Sequence, residues 1–172
     1  MAKAPPLLPT EVFRRVLRVS QIDGTGLLAF AGSFALLSAW LHDLTGTVAG
    51  VLIAGAGAME LHGTGLIRGG HERGMSWLIA SQGYLMAAVF GYVGWQLTHI
   101  DISILRPVVT DEWRQALDTY KVTEDQFLTL LYITVYGCFA AVTALYQGWM
   151  MIYYARRRPR VVAAIAEIFG RD

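Results

Sequence analysis

Residues 44–67 read LTGTVAGVLIAGAGAMELHGTGLI. A bilayer core of about 30 Å is crossed by about 20 consecutive, mostly apolar residues in a helix. This stretch has that length, with Glu60 and His62 as its only ionisable side chains. Its small residues also recur at a fixed interval. Gly46, Gly50, Ala54 and Ala58 fall four apart, and Gly55, Ala56 and Gly57 widen the row. Helices in lipid associate by close packing and hydrogen bonding, so small residues at that spacing let neighbouring backbones approach. The segment is therefore expected at the centre of a group of membrane helices.

Three more apolar stretches lie outward from it, Gly24–Leu41, Met75–Leu97 and Phe127–Tyr154. The chain is 55% hydrophobic and 16% charged, against about 25% charged in soluble domains, and its charges gather in the connecting segments. Little is left from which to build a water-soluble core. The expected fold is an all-α integral membrane protein, a four-transmembrane-helix bundle in one domain over residues 1–172, with spans at about 24–41, 44–67, 75–97 and 125–155. Span three repeats the small-residue device with Gly83, Ala87 and Gly91, and span one with Ala31, Ala35 and Ala39.

The flanks carry helix signals of their own. Thr10 is placed to cap a segment of about 10–20 in which Val12, Phe13, Val16 and Leu17 share one face while Arg14, Arg15 and Arg18 lie elsewhere. This predicts an amphipathic interfacial helix at the N-terminal side. Thr110-Asp111-Glu112 opens a short helix within the outer loop 98–124, with Trp113, Leu117 and Tyr120 spaced at three and four. Thr123-Glu124-Asp125-Gln126 is a capping box that starts span four near Glu124. Pro159 is expected to end that span, leaving 161–169 as a short amphipathic tail.

Lysine and arginine are distributed unequally. Lys3, Arg14, Arg15 and Arg18 precede span one, Arg68 and Arg73 flank the turn after span two, and Arg156, Arg157, Arg158, Arg160 and Arg171 follow span four. The opposite connections hold only Arg106, Arg114 and Lys121. The positive-inside rule puts the basic side in the cytoplasm, so both termini and the 68–73 turn are expected there, in an inner (plasma) membrane. Met1–Gln21 lacks the apolar core and cleavage site of a signal peptide, which leaves span one as its own insertion signal. The basic residues border the membrane rather than line one exposed element, so no nucleic-acid surface is expected.

Intramembrane polar residues are functional suspects by default. The candidates are Glu60 and His62 near the basic end of span two, with Ser81 and Gln82 across the turn on span three. One reading makes Gln82 a hydrogen-bond partner that ties Glu60 across the hairpin. The other makes Glu60 a proton-accepting or ion-coordinating carboxylate, with His62 as a second titrating group. Residues two apart on a helix point about 200° away from each other, which argues against Glu60 and His62 sharing a metal.

His42 and His99 at one edge and His62 and His71 at the other would be the pairs required by two bis-histidine haems. No carboxylate–histidine repeat suggests a di-iron site, and one cysteine, Cys138, gives neither a zinc site nor an intrachain disulfide. No nucleophile has a base near it in sequence. The tyrosines and tryptophans of spans three and four suit a subunit interface or, as Trp95, Trp113, Trp149, Tyr153 and Tyr154 do, the belts at the membrane borders.

Three functions remain open. The first is a non-enzymatic polytopic membrane protein without a cofactor, self-assembling as a homo-oligomer or serving as an accessory subunit of a membrane complex. The second is an oligomeric ion channel or small transporter with Glu60 in its path. The third is a haem-b electron-transfer subunit.

Overall fold

The computed structural model describes residues 8–103 and 105–170. Lys3 and Arg171, counted above toward the basic side, lie outside the described residues. Among those residues the chain is all-helical: α1 (Pro9–Trp40), α2 (Leu44–Arg68), α3 (Arg73–Thr98), a 3-10 turn at Arg106–Val108, α4 (Asp111–Tyr120) and α5 (Glu124–Phe169). Helices α1, α2, α3 and α5 are long and apolar enough to cross a membrane. The chain divides into two compact units, Met1–Ala88 with Leu145–Asp172, and Val89–Ala144.

Two expected boundaries are corrected. No separate interfacial helix covers 10–20, because α1 runs unbroken from Pro9 through Gly24 to Trp40. Leu8 occupies the N-cap without a side-chain cap bond, and Pro9 takes the first turn, where its fixed φ is already helical and its missing N–H is not needed. Thr10 is therefore inside the helix. Its apolar face does not lie on lipid either. Val12, Phe13 and Val16 are buried in a cluster with Ile67, Met75, Leu78, Met150, Tyr154, Val161, Ala164 and Ile165.

Pro159 likewise fails to end α5, which continues to Phe169. An interior proline costs a helix about 3 kcal/mol. Burial of Val161 and Ile165 in the same cluster returns about 1.5–3 kcal/mol for each side chain, enough to carry the helix through. The expected tail is thus the last part of α5, held against the start of α1.

Small residues set how closely the helices of the first unit approach. A Cβ on Gly57 would stand 2.7 Å from the Leu28 nitrogen and 2.8 Å from the Gly24 oxygen, and one on Gly50 would stand 2.9 Å from the Ala35 backbone. These glycines seat α2 directly on α1. Between α2 and α3 the same contact is made by Gly63 and Gly74, where a Cβ on Gly74 would overlap the Gly63 carbonyl oxygen. Gly46 and Gly50 are buried, whereas Ala54 is half-buried and Ala58 exposed. An i, i+4 row advances about 40° around a helix at each step. By the fourth member it has left the contact face, which instead follows Gly46, Gly50, Gly57, Glu60 and Thr64.

In the second unit the capping box forms as expected: Gln126 N–H donates to Thr123 Oγ1 and Thr123 N–H to Gln126 Oε1, both at 3.3 Å. Arg114 reaches Asp111 at 2.8 Å and Glu124 at 3.4 Å, and Arg106 reaches Asp125 at 2.9 Å. These pairs hold α4 and the connecting segment to the start of α5. Within this unit Tyr132 O–H donates to Gln96 Oε1 at 3.0 Å, and Gln96 in turn donates to Tyr92 Oη at 2.8 Å.

Candidate functional site

Glu60 faces into the first unit because it follows Gly57 by three residues and precedes Thr64 by four, on the face of α2 that the glycines press against α1. Its side chain is fully buried. One carboxylate oxygen, Oε1, accepts a 2.5 Å hydrogen bond from Tyr154 of α5, at the short end expected when a hydroxyl meets a carboxylate. The other, Oε2, is buried with no hydrogen-bond partner. Tyr154 is itself completely buried, the largest such side chain among the described residues. This corrects its assignment to a border belt.

Two more groups close on the same carboxyl. Asp23 of α1 and Gln82 of α3 both come within interaction range of Glu60. Gln82 is buried, and its Oε1 is unpartnered. Asp23 accepts a 3.1 Å hydrogen bond from Tyr146, two turns before Tyr154 on α5. One helical turn beyond Glu60, Thr64 Oγ1 donates to the Glu60 carbonyl at 2.8 Å and meets Ser20 Oγ at the same distance. All four long helices contribute a buried polar side chain here, Ser20, Glu60, Gln82 and Tyr154, while the Asp23–Tyr146 hydrogen bond is exposed.

The cluster carries two carboxyl groups, and among the described residues no lysine or arginine pairs with either. Glu60 is fully buried and Asp23 half-buried, and burying a carboxylate without a counter-charge is costly. Glu60 Oε2 and Gln82 Oε1 are both buried acceptors without a hydrogen-bond partner. Chemically, a buried carboxyl with one free oxygen is a group able to take up and release a proton.

The four residues singled out from the sequence therefore separate. Glu60 and Gln82 come together. Ser81 is buried, but its hydroxyl donates to the Leu78 carbonyl of its own helix at 2.9 Å. His62 is exposed on another face of α2, its ring edge-on to Trp77 at 4.9 Å. Asp23, Tyr146 and Tyr154 were not legible as members. Asp23 reads as the last polar residue before a span, and the two tyrosines read as aromatic filler. The spacing of Tyr146, Gln147 and Tyr154, polar tips near one face of α5, is the signal that could have pointed to the tyrosines.

His42, His62, His71 and His99 are all exposed, and His99 is stacked on Trp95 at 4.0 Å. No group of three metal-binding side chains occurs among the described residues. Comparison of the chain with family models, with curated proteins and with solved structures finds no match.

Proposed function

We propose that this chain is a non-enzymatic, multi-pass inner-membrane protein, with its basic end in the cytoplasm, in which Glu60 is the charge-carrying group of an ion path. The membrane reading rests on an inside-out distribution of side chains. Phe30, Leu36, Trp40 and Leu145 are each at least 75% exposed, while a carboxylate, an amide and hydroxyls are buried in the first unit beside its apolar cluster. Soluble monomers rarely leave large contiguous apolar surfaces open, and lipid removes that cost. The four long helices then form the spans of a membrane bundle.

The observation that carries the ion path is the unpartnered Oε2 of the fully buried Glu60. A helix tie would be served by glutamine, which accepts from Tyr154 and donates to Gln82 without a buried charge. Ionisable residues inside membrane helices mark ion pathways and proton relays. The test is reconstitution into sealed vesicles, with proton and monovalent-cation flux followed after an imposed gradient. The wild-type chain is expected to conduct above protein-free vesicles and Glu60→Gln to abolish that flux. A wild-type chain that carries nothing, or a Glu60→Gln variant that carries as much, removes the ion path.

A second feature favours self-assembly alongside it. A Cβ added at Gly91 would meet no atom within 4 Å, one at Gly83 would meet only the end of Met151, and Ala87 is exposed. The small-residue row of α3 is thus largely uncovered by its own chain, as a second copy or a membrane partner would need it.

A further inference from the structure

The last turns of the apolar part of α5 run directly into the arginine cluster, and the two meet in one groove. Trp149, Ile152, Tyr153, Arg156, Arg157 and Arg160 line a concavity of about 330 Å³. Their spacing sets them along one side of the helix, aromatic and aliphatic side chains first and guanidinium groups last. The axial distance from Trp149 to Arg160 is about 16 Å at 1.5 Å per residue. Arg157 is fixed over the Tyr153 ring, 4.2 Å from its centroid. Among the described residues none of the three arginines pairs with a carboxylate. The Tyr153 hydroxyl is buried without a hydrogen-bond partner.

We propose that this groove binds one anionic phospholipid, with the phosphate on Arg156, Arg157 and Arg160 and the upper acyl chain against Trp149 and Ile152. The inference rests on the membrane reading but not on the ion path. Guanidinium groups match phosphate oxygens in a planar, two-pronged geometry. Three uncompensated positive charges disfavour the cationic headgroup of a zwitterionic lipid and favour one whose net charge is negative. A free phosphate ion would use the arginines but leave the apolar half of the groove empty, so the lipid is the better match.

The test is native mass spectrometry of the full chain released from micelles containing equal amounts of phosphatidylglycerol and phosphatidylcholine with identical acyl chains. The wild-type chain is expected to retain phosphatidylglycerol selectively. Each arginine near an anionic lipid contributes a factor of about five in affinity, so replacing Arg156, Arg157 and Arg160 by glutamine is expected to weaken retention about a hundredfold. A control variant with Arg14, Arg15 and Arg18 replaced by glutamine removes the same charge from the same end and is expected to keep it. Equal loss in both variants, equal retention of both lipids by the wild-type chain, or displacement of the lipid by inorganic phosphate would overturn the proposal. A chain that stays in solution with no detergent present would overturn the membrane reading as well, and so the two failures are distinct.

Discussion

Glu60 and Tyr154 form a pair in which the two partners are not equivalent. Removing the tyrosine hydroxyl leaves both carboxylate oxygens of Glu60 buried and unbonded, and an orphaned buried polar group costs about 1–3 kcal/mol, more when charged. Replacing Glu60 by glutamine instead keeps an acceptor for Tyr154 and adds an amide that can donate to Gln82 Oε1. Tyr154→Phe is therefore expected to lower the midpoint of thermal unfolding in detergent, and Glu60→Gln to leave it unchanged or raise it. A large loss of stability in Glu60→Gln would mean that the carboxylate serves the packing rather than the chemistry. At this scale the sequence was informative about Glu60 and Gln82, since a carboxylate and an amide inside apolar helices are conspicuous. It was silent on Tyr154 and Asp23, because a tyrosine near the end of a span and an aspartate just before one have ordinary explanations that only the packing removes.

The helices depend on a few places where two backbones touch, and the glycines there are not interchangeable with the others. At Gly57 an added methyl group meets Leu28 and Gly24 backbone, and at Gly74 it meets Gly63 and Ile67 backbone. Neither backbone can move aside without parting the helices. At Gly65 nothing lies within 4 Å, so alanine there should gain up to about 1 kcal/mol of helix propensity. Thermal unfolding of the three single alanine variants is expected to rank Gly65→Ala at or above the wild type, with Gly57→Ala and Gly74→Ala well below it. Three similar midpoints would show that the contacts relax at little cost. The sequence showed that α2 is a packing helix through the density of its small residues. It did not show which of them touch, since a row drawn every fourth residue rotates off the contact face and Gly65 looks like Gly63. The long reach of α1 and α5 was hidden for a different reason. Gly24 and Pro159 are local breakers, and each was overridden by burial, against Gly57 in one case and through Val161 and Ile165 in the other.

Across the whole molecule, the start of α1, the turn between α2 and α3 and the last part of α5 are held in one apolar cluster, and these segments carry Arg14, Arg15, Arg18, Arg68, Arg73, Arg156, Arg157, Arg158 and Arg160. Charge pattern and packing thus agree on which ends lie together, although one comes from the sequence and the other from side-chain contacts. At 1.5 Å per residue α1 is about 48 Å long and α5 about 69 Å, both longer than a hydrocarbon core of about 30 Å. In α1 the excess coincides with the arginine-bearing segment before Gly24, and in α5 the part from Arg156 onward accounts for about half of it, about 21 Å. The orientation proposed from the arginine bias is open to direct measurement. In a variant with Cys138 replaced by serine, single cysteines at Arg158 and at Lys121 are labelled in intact cells with a membrane-impermeant maleimide. The Lys121→Cys variant should label without lysis and the Arg158→Cys variant only after it. The reverse pattern would invert the protein in its membrane, placing the arginine groove in the outer leaflet. Labelling of both sites in intact cells would contradict a crossing by α5, and with it the membrane frame on which the ion path and the lipid groove depend.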